Sequence, residues 1–512
     1  MAWRRPLLGL LAGAVAPAAF APLGWYLLLP LSLALLFWLS WPLSSVRRAA
    51  LLGWGYGLGY FGVGISWISV AIVDMGQTPW PLAALLTLLF VAYLALFPAL
   101  ALALFIALRG YLALQQAPMR ALLLLLPLLW TATEWLRGEL FTGFPWLNPG
   151  YIVTDSVLAG WAPLLGSYGV GGGVVLLAAL LALLLLRTTV KTAMLVALMV
   201  GGIYLSAALL QQQQWTEPVG ERISVALIQG NVSRQSRWQG HSLSQRLARY
   251  RELTEPYFGQ AALIIWPENA IPTYYRHLEA DFFTPLAKRA SASGSTIISG
   301  GIRYRHDGEG YHTSLTVVGR PEQSYHKRHL VPFGEYLPLE SWLRGAINFF
   351  NMPMSNFSPG PEQQSPLQVG EWRLAATVCY EDLFAAEMRP LVKEATLLVN
   401  GSNNGWYGDS LAPHQHLQIA RMRSLEFQRP TLRATTSGIS ALIERDGKVL
   451  ARSQQFVAAT LSGSVQPMTG LTPYLRWGEW PLVGWAVVVA IGLGLSAGGS
   501  SRREEGSASL PP

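Results

Sequence analysis

Cysteine is nearly absent: Cys379 is the only one among 512 residues. One thiol cannot close a disulfide within the chain, so no cystine framework holds the fold and the thiol is left for packing or for chemistry. Charge is scarce as well. Asp, Glu, Lys and Arg make up 13% of the residues against 51% hydrophobic, with a mean hydropathy of +0.32. That balance excludes an ordinary soluble protein and points to membrane spans. Clustered metal ligands are missing: His414 and His416 stand two apart, a spacing that does not share a helix face, and no cysteine or carboxylate pattern surrounds them. No metal and no cofactor is expected. Repeats of solenoid period are absent too.

The apolar residues are unevenly placed. Runs near the length a bilayer requires, about 20 residues, occur at 7–23, 25–41, 51–72, 82–108, 121–135, 157–186, 193–210 and 480–497. Eight spans are expected. The fifth is short and carries Glu134 near its end with Arg137 just beyond, and the sixth is interrupted by Pro163, Gly166 and Gly171 to Gly173. Basic residues occupy every second loop: Arg4 and Arg5, Arg47 and Arg48, Arg109 and Arg120, Arg187 and Lys191, Arg502 and Arg503. Lys and Arg stay on the cytoplasmic side, so both termini are expected inside and the segment between spans seven and eight outside. These flanks account for most of the net charge of +8, leaving nothing that calls for nucleic acid. The first run lacks a small-residue cleavage site and reads as a retained anchor. Glycines at 53, 55, 57 and 59 match no phosphate-binding template and read as close helix packing.

The expected organisation is a membrane portion at 1–211, a catalytic domain outside the cytoplasm at 215–477, an eighth span at 478–500 and a cytoplasmic tail at 501–512. Within the domain, apolar runs at 223–229, 262–266, 295–299, 374–378 and 395–399 read as buried strands. Helical patterns lie at 242–257, 278–292 and 413–427, and 439–450 with Asp446-Gly447 reads as a hairpin. Strands alternating with helices predict a layered α/β domain with ligands at the strand ends.

Chemistry gathers at three such ends or the loops beside them. Glu268 follows the strand ending at Trp266, Lys327 opens a basic cluster that runs into Val331-Pro332-Phe333-Gly334-Glu335, and Cys379 directly follows an apolar strand. If they converge they form an acyl-transfer set. A free thiol has a pKa of about 8.5, so Glu268 as general base would take its proton during attack on a carbonyl. Lys327 would stabilise the oxyanion, and Glu335 or Glu381 would keep the lysine protonated. Each residue has a plainer reading: Glu268 as a helix cap, Lys327 as one exposed base among several, Glu335 as a turn acid, Cys379 as a small buried hydrophobe.

The soluble segment resembles the nitrilase superfamily through Glu268, Lys327 and Cys379 in that order. With its membrane motifs the whole chain resembles the apolipoprotein N-acyltransferase family. The matching stretches include Gly64-Ile65-Ser66-Trp67, Thr142-Gly143-Phe144-Pro145-Trp146-Leu147, Ile265-Trp266-Pro267-Glu268, Met354-Ser355-Asn356-Phe357-Ser358 and Cys379-Tyr380-Glu381. Asn269 stands where serine is common in the family. The resemblance implies a fold of eight membrane helices plus an α/β nitrilase-like αββα sandwich. It implies Glu268 as base, Lys327 as oxyanion stabiliser and Cys379 as nucleophile, with Glu335, Tyr380 and Glu381 in support and Trp238 near a substrate entrance. It further implies a phospholipid acyl donor, a diacylated apolipoprotein acceptor and a bacterial inner-membrane location with the catalytic domain in the periplasm. A membrane-anchored amidase and a transporter or lipid-binding scaffold with a degenerate domain are the competing expectations.

Overall fold

The computed structural model describes residues 4–76, 78–232, 243–305, 310–332, 334–336 and 357–507. The chain forms two compact units. Met1–Ser66, Ala84–Gln213 and Trp477–Pro512 make the first; Trp67–Ala83 and Gln214–Arg476 make the second.

The first unit is helical. Among the described residues, four stretches are long and apolar enough to cross a membrane: Trp80–Tyr111, Pro118–Thr142, Val157–Leu186 and Val190–Gln211. A fifth arises if Val46–Gly64 and its continuation Ile68–Asp74 count as one broken span, while Leu28–Ser40 and Trp480–Leu495 are apolar but shorter. Length and composition thus support four or five of the eight expected spans. The run at 7–23 is not one helix, because Arg4–Val15 gives way to a tight turn at Ala16–Ala19 that contains Pro17.

Glycine spacing sets the packing of Val46–Gly64. Gly53 and Gly57, one turn apart, face Ala95, Pro98 and Ala99; Gly55 and Gly59 face Pro6, Leu10 and Ala14. A methyl group at any of the four would overlap the opposing chain, so two neighbouring helices approach closely on two faces. The charges that weakened the fifth span are absorbed internally. Glu134 and Arg137 form a buried pair at 2.5 Å, and Arg137 also donates to the Phe144 carbonyl and, at 2.8 Å, to that of Trp146.

In the second unit the strands are β1 (Glu217–Pro218), β2 (Ile223–Gln229), β3 (Leu263–Ile265), β4 (Thr296–Tyr304), β5 (Tyr311–Val317), β6 (Arg320–His326), β7 (Leu367–Val369), β8 (Trp372–Val378), β9 (Leu397–Ser402), β10 (Thr431–Thr435), β11 (Ala441–Ile443), β12 (Val449–Arg452), β13 (Ala459–Val465) and β14 (Met468–Thr469). They build two six-stranded sheets, ordered β13-β2-β3-β4-β5-β6 and β12-β11-β10-β9-β8-β7. The central strands β2, β3 and β4 are mutually parallel, as are β8, β9 and β10. Alternation along the strands makes the layers. Val225, Leu227, Leu263 and Ile265 share one core with Leu374, Ala376, Val378, Leu397 and Val399, so the sheets pack face to face. The opposite face of the first sheet, with Ala226, Ile264 and Trp266, packs on Tyr250, Leu286 and Ala290 from the helices Leu243–Thr254 and Thr284–Ala292. Over the second sheet lie Ala385–Val392 and Ala412–Phe427. The expected strands and helices are present, shifted by a few residues at their ends.

Residues 67–83, inside the portion expected to be membrane, belong to this unit for a visible reason. Trp67 is buried, donates from Nε1 to Gln415 Oε1 at 3.2 Å and meets the Tyr407 ring edge-on at 4.8 Å.

Trp266 anchors the strand that leads to Glu268. It is fully buried, its Nε1 donates to Thr254 Oγ1 at 2.9 Å, and its ring packs on Tyr250 at 4.9 Å. Trp266→Ala is expected to destabilise the second unit by about 3–5 kcal/mol, measured as earlier thermal unfolding; an unchanged melting temperature would count against the packing described.

Candidate active site

β8 is an apolar strand between β7 and β9, and Cys379 is the first residue beyond it, opening a short turn at Cys379–Leu383. Cys379 has φ +54°, a left-handed conformation that costs a non-glycine residue energy and persists only where neighbours enforce it. The enforcing contacts lie on both sides. Glu381 Oε2 accepts from Val378 N at 2.7 Å, and Asn400 Nδ2 donates to the Cys379 carbonyl at 3.2 Å.

Glu268 lies just past β3. Its carbonyl accepts from Thr436 Oγ1 at 3.1 Å, and its Oε2 accepts from the Asn403 backbone N–H at 2.9 Å. The carboxylate also lies close enough to the Cys379 thiol for each to shift the other's protonation. Lys327 directly follows β6; β4 and β6 both run antiparallel to β5, so β6 ends on the same side of the sheet as β3. Its Nζ lies 2.8 Å from Glu335 Oε1 and 3.9 Å from Glu268 Oε1. The structure therefore brings Glu268, Lys327, Glu335 and Cys379 into one buried cluster.

Burial sets the protonation states. It raises Glu268 to about 7, a rise that the Lys327 charge limits and the Glu335 charge supports. It opposes the charge on Lys327, yet Glu335 and Glu268 outweigh it and hold the ammonium well above its ordinary range. Burial and then the Glu268 charge push the Cys379 thiol up, so it rests protonated. A thiol that cannot ionise alone, a carboxylate poised near neutrality and a fixed ammonium form a set able to move a proton as sulfur attacks a carbonyl.

Glu381 acts differently from Glu335. It does not grip the lysine amine; Oε1 accepts from Arg328 N at 2.7 Å, His329 N at 3.1 Å and Tyr325 Oη at 2.9 Å. It thereby fastens the turn at Cys379 to the chain just after Lys327. Tyr380 is buried with its ring 5.1 Å from Phe384 and 5.8 Å from His329. Trp238, Phe333 and residues 354–356 lie outside the described residues. The Asn403 N–H escaped the sequence reading, since a backbone donor leaves no signal in residue type. Asp382, Asn400, Asn404 and Arg433 escaped it too, and His416 entered it only as a metal ligand set aside.

Two sandwiched sheets with parallel centres define a protein of the carbon–nitrogen hydrolase class, and residues 224–474 match the family model described as carbon-nitrogen hydrolase. Residues 12–180 match a second, the apolipoprotein N-acyltransferase N-terminal domain. An apolipoprotein N-acyltransferase of Methylococcus capsulatus is 42% identical over 93% of this chain and 93% of its own. One from Azotobacter vinelandii is 40% identical over 95% and 94%, and one from Pseudomonas syringae pv. tomato 39% identical over 95% and 97%. The chain belongs to the apolipoprotein N-acyltransferase family, a family of enzymes.

Because Cys379 is the only thiol, its alkylation by iodoacetamide is read without interference. The rate is expected to rise about tenfold per pH unit below 7 and to level off above, as Glu268 loses its proton and becomes able to accept another. Glu268→Gln should flatten that step, and a step of the same midpoint in the variant would show that another group controls the thiol.

Proposed function

We propose that this enzyme transfers a fatty acyl chain from a phospholipid to the α-amino group of the diacylglyceryl-cysteine of an apolipoprotein, through a thioester on Cys379. The observation that carries this reading is the buried cluster of Cys379, Glu268 and Lys327 in a chain whose helical and sheet portions match both family models.

In the first half-reaction Glu268 takes the thiol proton as Sγ bonds to the carbonyl carbon of the sn-1 ester. Lys327 stabilises the oxyanion of the tetrahedral intermediate. The carbon–oxygen bond to glycerol then breaks, and the proton held by Glu268 passes to the departing oxygen, releasing lysophospholipid. In the second half-reaction the lipoprotein amine attacks the thioester carbonyl. Glu268 takes a proton from the nitrogen, the carbon–sulfur bond breaks, and that proton returns to sulfur. An amide is formed, the thiol is regenerated and no water is consumed.

Glu335 holds the ammonium of Lys327 in place and Glu381 and Tyr380 hold the turn at Cys379, while an entrance role for Trp238 rests on the family resemblance alone. The alternating basic loops support eight spans in a bacterial inner membrane, with both termini cytoplasmic and the catalytic domain in the periplasm. In that arrangement both lipid substrates reach the thiol from the bilayer that anchors them.

Incubating the purified enzyme with phospholipid alone is expected to add one acyl mass to the peptide bearing Cys379, and a diacylated lipopeptide should then discharge it. Cys379→Ala should show neither event while still inserting in the membrane. Release of ammonia from small amides without an acyl adduct would instead establish an amidase.

A further inference from the structure

We propose that Arg433, through Asn400, Asp382 and Asn404, is the positioning residue that fixes the main chain of Cys379 and the loop carrying the Asn403 N–H, and so sets the rate of thioester formation. The proposal rests on Cys379 being the nucleophile.

Arg433 is central to β10, 1% exposed, where the strand pattern calls for an apolar side chain. A buried guanidinium requires partners. Its NH1 donates to Asp382 Oδ2 at 3.0 Å and to Asn400 Oδ1 at 2.7 Å, and its NH2 to Asn404 Oδ1 at 3.3 Å. Each contact fixes the direction of the next. With Oδ1 of Asn400 engaged by Arg433, and by Ser402 Oγ at 2.6 Å, its Nδ2 is turned to donate to the Cys379 carbonyl at 3.2 Å and to Thr377 Oγ1 at 3.1 Å. With Oδ1 of Asn404 engaged, its Nδ2 donates to His416 Nδ1 at 3.2 Å, which leaves Nε2–H of His416 to donate to Asp382 Oδ1 at 2.8 Å.

The five side chains are all 2% exposed or less; Arg433, Asp382, His416 and Asn404 close into a hydrogen-bonded cycle, and Asn400 joins it through Arg433. Burial, and next the Arg433 charge, lower the His416 pKa and keep the ring neutral, consistent with this tautomer. The network reaches the reacting groups at three points. Asn400 grips the carbonyl of a residue held at φ +54°. Asp382 belongs to the turn Cys379–Leu383 itself. Asn404 neighbours Asn403, whose N–H holds Glu268. His416, set aside as a metal ligand at the sequence level, finds its place here.

Lysine keeps the charge of Arg433 but lacks the planar fork that serves three partners at once. Arg433→Lys is expected to slow single-turnover acylation of Cys379 by phospholipid about 100-fold, with KM for phospholipid within about twofold of the parent. The melting temperature measures folding separately. A folded R433K enzyme with the parent acylation rate, or one slowed only through a higher KM, overturns the proposal. If R433K does not fold, Ser402→Ala decides: it removes one hydroxyl from Asn400 and should lower the acylation rate about fivefold, and an unchanged rate overturns the proposal. Cys379→Ala is run in parallel. Acyl transfer persisting there refutes the nucleophile itself, whatever R433K does.

Discussion

The ammonium of Lys327 is buried at the end of β6, and the site is arranged around that charge. Removing an ammonium from water costs several kcal/mol unless partners offset it. Glu335 at 2.8 Å is the first partner and neutralises it. Glu268 at 3.9 Å adds a second carboxylate beside the same ammonium. Burial raises Glu268 to about 7, a rise that the Lys327 charge limits and the Glu335 charge adds to. One proton more or less can be held there near neutrality, which is what a general base requires. Burial, and next the Glu268 charge, keep the Cys379 thiol protonated at rest. On the proposed mechanism the total charge then stays constant: it leaves Glu268 and appears on the oxyanion, with Lys327 beside both.

Such a cluster depends on the sandwich. Glu268 and Lys327 issue from the first sheet and Cys379 from the second, so no single sheet holds the set. What fixes one sheet against the other, beyond the shared apolar core, is a series of polar ties at the strand ends. Thr436 beyond β10 donates to the Glu268 carbonyl, and its own carbonyl accepts from Asn231 beyond β2 at 2.8 Å. Asn403 beyond β9 donates to the Glu268 side chain, and Glu381 beyond β8 holds the two backbone N–H groups after Lys327. Apolar packing brings the sheets together without direction; these bonds set the register within which a proton can pass.

The parts legible in sequence are those where an apolar strand runs straight into a polar residue. β2 and β8 read clearly because both faces are buried, and Glu268 and Cys379 stood out as abrupt changes after such runs. β6 was not legible. It is an edge strand, Arg320–His326, in which only Tyr325 is buried. β10 was hidden for the opposite reason: it is buried throughout, yet Arg433 breaks the apolar pattern at its centre. Local rules fail where a site needs them to. The first apolar run reads less cleanly for a related reason, since hydropathy counts residues and does not register that its helix stops at Val15, before a short turn that contains Pro17.

The apolar half of the chain also supplies part of the catalytic unit. Gly64-Ile65-Ser66-Trp67 is where a long apolar helix breaks, and Trp67–Ala83 packs within the second unit before the chain returns to the first at Ala84. Trp67 holds Gln415, the neighbour of His416, and its ring packs on Tyr407, one residue past the turn Asn404–Trp406. That turn begins beside Asn403, the donor to Glu268. A change at Trp67 is thus separated from Glu268 by a few bonded contacts inside one folded unit. A free-standing hydrolase domain cut at residue 214 would lack this support for its active-site loop, which is a physical reason for the two portions to occur as one chain.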